Sequence, residues 1–294
     1  MITTEHRFDQ APIAAGFSNP FGCPRKGLGN RYVYAVISPR AQGLSVGVNF
    51  NPSKHCNFDC IYCEVDRGDG SPIDEPLDLS VMTSELETTL KHILGGELRA
   101  DFPAVPGGLL QLRHVALSGD GEPTLCPNFG EAIEAVVHLR ASARVPRFKI
   151  VLITNASWLD RSQVVYGISL LTRNDEIWAK LDGGTQAYID YINRAEFPLA
   201  KVLENIRDLA RRRPVIIQTM VPEINGENPF RSQITEYSAR LCELKEAGAQ
   251  ISFVQIYSAN RPTPHSECSH LSLKALSEIA KTVRALTGLR TEVF

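Results

Sequence analysis

The sequence predicts an α/β fold, a partial (βα)6 TIM-like barrel with parallel strands and outer helices, preceded by an N-terminal extension. Three observations carry this. Six short apolar runs alternate with six stretches of helical apolar spacing. The runs are rich in β-branched residues and apolar throughout, as strands buried on both faces are. The unusual polar residues fall just after the runs, where parallel sheets place their ligands.

Residues 1–43 read as the extension, with a candidate strand at "YVYAVI" (32–37), and 44–294 as the barrel domain. The first run, "VGVNF" (46–50), leads into Cys56, Cys60 and Cys63. The stripe Leu86, Leu90, Ile93 and Leu94 follows and stops at Gly95 and Gly96, a helix end. "HVALS" (114–118) leads into "GDGEPT", then a helix carries Phe129, Ile133, Val136 and Val137. "KIVLIT" (149–154) leads into "NAS", then a helix carries Val164, Val165, Ile168 and Leu171. "EIWAKL" (176–181) leads into "DGG", and the next stripe is Leu199, Val202, Leu203, Ile206 and Leu209. "PVIIQTMV" (214–221) precedes Ile234, Tyr237, Leu241 and Leu244, closing near Gly248. "ISFVQIYS" (251–258) leads into "ANRPTP", and the last helix carries Leu273, Leu276, Ile279, Val283 and Leu286 up to Gly288. Six units fall short of the eight of a closed barrel, so an open one is expected.

At 294 residues and 43 % apolar content the chain can fill a sizeable core. A net charge of −2 gives no global basic field for nucleic acid. The densest basic run, Arg211-Arg212-Arg213, reads as a helix C-terminus, where cations are favoured. The N-terminus lacks an apolar leader and no stretch is long enough to span a bilayer, so a cytoplasmic protein without membrane attachment is expected. In a reducing compartment, seven cysteines point to metal or catalysis rather than to disulfides.

Cys56, Cys60 and Cys63 lie within "KHCNFDCIYCE". Three thiols so close can form one disulfide, hold zinc or hold an iron–sulfur cluster. A structural zinc site closes four positions, and the adjacent His55 is poorly placed to supply the fourth. Three ligands on a four-iron cluster leave one iron open to a chelating small molecule. "GDGEPT" is a second, independent feature. Gly119 and Gly121 let backbone approach a ligand, and Glu122 offers an acceptor to an ammonium group. The plainer reading is a glycine-rich turn fixed by Asp120 and Pro123.

The C-x3-C-x2-C spacing, with Tyr62 before the last cysteine and "LSGDGEPTL" (117–125) after the second strand, resembles the radical S-adenosylmethionine superfamily. The resemblance implies a [4Fe–4S] cluster on Cys56, Cys60 and Cys63, with S-adenosyl-L-methionine chelating the fourth iron. It implies reductive cleavage to a 5′-deoxyadenosyl radical that takes hydrogen from a substrate, with a ferredoxin or flavodoxin as electron donor. By the same resemblance Tyr62, Gly119, Asp120, Gly121 and Glu122 join the cofactor site. Thr154, Asn155, Lys180 and Asp182 reach ribose hydroxyls and carboxylate, with Gln218 and Tyr257 as further candidates.

"GLSVGVNFNPSKHCNFDCIYCEV", "KLDGGTQAYIDYINR" and "VQIYSANRPTP" resemble the branch containing the tRNA wyosine-synthesis enzymes, so the substrate is a small molecule or tRNA. That branch uses a second cluster and a Schiff-base lysine; here only Cys23 precedes Cys56. Lys180 is the carbonyl-trapping candidate, against an ion pair with Asp182. Arg261 is a candidate grip on a substrate carboxylate or phosphate, against a turn-fixing role. Cys23, Cys126, Cys242 and Cys268 read as incidental thiols, with Cys268 the one that a substrate could approach. The rival classes are an iron–sulfur electron carrier, which prefers four cysteine ligands, and a zinc-stabilised binding protein.

Overall fold

The computed structural model describes residues 25–67, 75–259, 261 and 263–294. The strands are β1 (Val33–Ser38), β2 (Gly43–Asn49), β3 (Leu112–Ser118), β4 (Ile150–Thr154), β5 (Glu176–Lys180), β6 (Val215–Met220), β7 (Glu223–Ile224), β8 (Ile251–Tyr257), β9 (Cys268–Ser269) and β10 (Thr291–Val293). The helices are α1 (Leu79–Leu94), α2 (Phe129–Ala141), α3 (Ser162–Ser169), α4 (Gln186–Asn193), α5 (Leu199–Ala210), α6 (Ile234–Glu246) and α7 (Leu273–Thr287).

Eight strands form one sheet in the order β1-β2-β3-β4-β5-β6-β8-β10. All neighbours from β2 onward are parallel, and β1 runs antiparallel to β2, with Val33 opposite Val48 and Ser38 opposite Gly43. The sheet curls into a half-barrel with helices around it. Each of the six apolar runs is a strand, and the stretch 32–37 is the antiparallel edge β1. The structure adds three elements of this sheet system that the apolar runs did not announce, β10 and the two-stranded ribbon β7–β9, and one helix, α4.

The two faces of the sheet differ. The helix-facing side carries the main core, in which Val115, Leu117, Ile150, Leu152, Ile177, Ile217 and Val254 pack against residues such as Phe129, Ile133, Ile206, Tyr237 and Leu276. The inner face carries a small apolar cluster of Val151, Trp178 and Ile216. Period-2 alternation explains the split, since neighbouring residues on one strand point to opposite faces.

Local signals set the helix ends. Asp78 caps α1 by accepting from Ser80 N and Val81 N at 3.0 and 3.1 Å. Ser272 caps α7 through Ala275 N, and Gly288 ends it at φ +69°. The basic run after α5 is a helix end, as expected: the Arg213 guanidinium donates to the carbonyls of Thr172 and Asp175 at 3.0 and 2.8 Å. Among the described residues no helix is long and apolar enough to cross a membrane.

Candidate functional site

The loops that leave the carboxyl ends of β2 to β5 meet over one end of the half-barrel. The cysteine loop follows β2. Its backbone is folded onto the glycine loop after β3: Glu122 N donates to His55 O at 3.0 Å, and Asn51 Nδ2 donates to Glu122 O at 3.0 Å. A Cβ on Gly121 would lie 1.8 Å from His55 O, so only glycine permits this approach. At Gly119 a Cβ would meet Asn49 Oδ1 at 2.5 Å. These two glycines let the backbone after β3 pack against the end of β2 and the cysteine loop.

Asp120 is held by Asn49, which donates from Nδ2 at 2.8 Å and accepts from Asp120 N at 3.1 Å. Arg25 pairs with its other oxygen at 3.0 Å. Arg67 links both loops: its guanidinium donates to Lys54 O, to Asp120 O at 3.0 Å and to Cys63 Sγ at 3.4 Å.

Glu122 is buried at 4 % exposure, and its carboxylate accepts from Thr124 N, Thr124 Oγ1, Thr154 Oγ1 and Asn155 N at 2.6–3.1 Å. Burial raises its pKa and these bonds oppose the rise. Four protein donors use this carboxylate, and it clamps the tips of β3 and β4 together. Thr154 is engaged in the same clamp. Asn155 donates to Asn57 Oδ1 at 2.9 Å and accepts from Ser157, so its amide ties the tip of β4 to the cysteine loop.

A second network surrounds Asp182 after β5. Its Oδ1 accepts from Met220 N at 2.8 Å, and its Oδ2 accepts from Tyr62 Oη and from Asn193 Nδ2, the latter at 2.8 Å. Asn193 Nδ2 also lies 2.9 Å from Tyr62 Oη and 3.2 Å from Cys60 Sγ. Lys180 Nζ sits 3.6 Å from Asp182 Oδ2, donates to Tyr257 Oη at 3.1 Å and lies 4.9 Å above the Tyr62 ring. Burial alone would lower the Lys180 pKa; Asp182, Tyr257 and Cys60 outweigh it and hold it above the ordinary lysine value. The ion pair with Asp182, weighed against carbonyl trapping, is the contact that Lys180 makes here. Gln218 donates to Gln255 Oε1 at 3.0 Å and lies within reach of Tyr257 Oη, as part of a buried polar layer. Arg261 donates to Glu64 Oε2 at 2.8 Å, a carboxylate next to Cys63 in the cysteine loop.

Cys60 is buried and Cys56 and Cys63 are half-buried. Burial, with Glu122 and Cys60 nearby, pushes the Cys56 thiol up to about 12. Burial likewise pushes Cys60 up to about 11. Thiols so shifted are protonated at neutral pH and are poor nucleophiles. Among the described residues no three His, Cys, Asp or Glu side chains are gathered as a metal-ligand set. The donor chemistry of the loop nonetheless suits a thiolate-held group: three sulfurs on one loop, two of them facing N–H donors on Asn193 and Arg67. Cys126 is buried with its Sγ 3.3 Å from Asn128 Oδ1, Cys242 lies in α6, and Cys268 lies in β9. Cys23 lies outside the described residues.

Sequence reasoning missed Asn49, Asn51, Asn57, Arg67 and Asn193. The rule that strand tips carry function covers Asn49 and Asn51, both in "VNFN" at the end of β2. Asn193 ends α4, a helix without a long apolar stripe, and carried no such signal.

No family model matches the chain. It is 27 % identical over 206 residues to a UPF0026 protein of Synechocystis sp., covering 69 % of this chain and 64 % of that protein. The chain thus spans slightly under two thirds of that relative's length. Its fold is similar to that of Streptococcus suis SuiB bound to S-adenosylmethionine, with a TM-score of 0.56 and 13 % identity, over 86 % of this chain and 50 % of that one. It is also similar to archaeal TYW1, with a TM-score of 0.50 and 16 % identity, over 89 % of this chain and 85 % of that one. The chain thus shares the half-barrel fold of these two structures.

Proposed function

We propose that the chain is a radical S-adenosylmethionine enzyme in which Cys56, Cys60 and Cys63 hold a [4Fe–4S] cluster beside bound S-adenosyl-L-methionine. The observation that carries this reading is the interlocking of the cysteine loop with the glycine loop through Gly121 and His55. Two motifs distant in sequence form one rigid surface at the carboxyl ends of the strands, where half-barrels bind ligands. When bound, the cluster and S-adenosyl-L-methionine supply one-electron cleavage to a 5′-deoxyadenosyl group that abstracts hydrogen from substrate. The protein's residues do the rest. Asn193 and Arg67 donate N–H groups to Cys60 and Cys63. Asp120, Glu122 and Asn155 fix the loops by internal hydrogen bonds, so the surface is preformed. The Val151, Trp178 and Ile216 cluster floors the interior with apolar surface and keeps water from its base. A ferredoxin or flavodoxin supplies the electron.

A wyosine-type reaction on a tRNA base is the second reading, favoured by the likeness to archaeal TYW1 over 85 % of that chain. The ion-paired state of Lys180 counts against its Schiff-base step. Anaerobic reconstitution with iron and sulfide tests the main proposal. A brown protein that forms 5′-deoxyadenosine with dithionite is expected, and Cys60→Ala should abolish product. A colourless zinc protein, or unchanged activity in Cys60→Ala, overturns it.

A further inference from the structure

Among the described residues, a cation at the open side of the half-barrel, Arg40, has no counter-ion. Lys149 pairs with Glu176 at 2.7 Å and Lys180 with Asp182 at 3.6 Å. His114 is buried against the edge of the Trp178 ring, 5.4 Å between centroids. Burial, with Lys149 and Arg40 nearby, lowers its pKa to about 3, so it is neutral and balances no charge. Arg40, in the turn joining β1 to β2, lies with its guanidinium carbon 4.4 Å from the Tyr257 ring centroid. Among the described residues Arg40 makes no ion pair or hydrogen bond.

This contact crosses the open side of the half-barrel, because β1 and β2 lie at one end of the strand order and β8 and β10 at the other. Beside it a cavity of about 580 Å³ opens between the same turn and α7–β10. Gln42, Lys281, Arg284, Arg290 and Glu292 are among its lining residues, with Arg290 paired to Glu292. Stacking on an aromatic face holds a guanidinium plane in place and leaves its N–H edge directed away from the ring. An unpaired and preoriented fork of this kind matches a carboxylate or phosphate in two parallel hydrogen bonds.

We propose that Arg40 binds an oxyanion, a carboxylate or a phosphate group, on a substrate that enters the half-barrel through its open side. The substrate class follows from the enzyme reading above, but the anion site itself does not depend on the cluster. The purified full chain carrying Trp158→Phe, so that Trp178 alone reports, is titrated with sodium phosphate in one arm and sodium acetate in another, at ionic strength held constant with chloride. Trp178 fluorescence and the thermal transition should respond to at least one oxyanion, the responding arm naming the group. Arg40→Gln should weaken that response at least about tenfold, the value of a charged hydrogen-bonded contact. Arg40→Lys, which keeps the charge and protects the result against misfolding of the first variant, should retain part of it. Equal response in Arg40→Gln, or no response beyond chloride in the parent, overturns the proposal. S-adenosylmethionine cleavage by the same preparation is measured separately. Cleavage without oxyanion binding sinks this site and leaves the enzyme reading standing; oxyanion binding without cleavage does the reverse.

Discussion

Gly121 shows how tightly one residue can constrain a site. With 1.8 Å between an added Cβ and His55 O, Gly121→Ala must displace backbone on one loop or the other. We expect a loss of about 1–3 kcal/mol, the usual cost of overpacking, measured as a lower midpoint in urea, together with loss of 5′-deoxyadenosine formation. Lys180 makes a different kind of prediction. A raised pKa keeps it an ammonium at pH 7, so borohydride with carbonyl compounds should leave no adduct on it. A Lys180 adduct detected by peptide mass analysis would restore the carbonyl-trapping reading. At this scale the sequence displayed the chemistry and hid its bookkeeping. Three cysteines and two glycines stood out by their spacing and by their place just after apolar runs. That Glu122 and Asn155 spend their polar atoms on Thr124, Thr154, Asn57 and Ser157 is a matter of tertiary position, which no local pattern encodes.

Among the elements, β1 joins the sheet on terms that depend on Gly47. The Tyr34 ring lies across Gly47, where a Cβ would come within 2.1 Å of it, and its hydroxyl is 2.9 Å from Ser118 Oγ on β3. Gly47→Ala should therefore push Tyr34 off the sheet and loosen the β1–β2 hairpin. The expected cost is about 1–3 kcal/mol, and amide exchange should quicken in β1 while β4 and β5 stay protected. Uniform quickening would show that the hairpin is not a separable unit. Element by element, legibility followed burial. Six of the seven parallel strands, β2 to β6 and β8, were readable because both their faces are covered, which forces continuous apolar runs. α4 was not, because its eight residues, "QAYIDYIN", give two turns with few apolar anchors. β10 has three residues and pairs only with β8, too short for any periodic signal.

For the molecule as a whole, acid should be more damaging than the near-neutral net charge suggests. Unfolded, His114 takes up a proton near its ordinary 6.5; folded, it does so only near 3. The unfolded state therefore binds the extra proton between those values, and stability is full above pH 6.5 and declines as pH falls toward 3. Replacing His114 with Phe keeps an edge contact to Trp178 and removes the titration, so its thermal midpoint should fall less over that interval. Parallel curves for the two proteins would refute the assignment. The division of labour between the faces of the sheet has a longer reach. Residues that keep the chain folded are interleaved, one by one along each strand, with residues that define the chamber. Inherited changes in the chamber can therefore alter what is admitted while the helical jacket keeps its fit. A lineage built on this scaffold is free to acquire new chemistry by exploring alternate positions only.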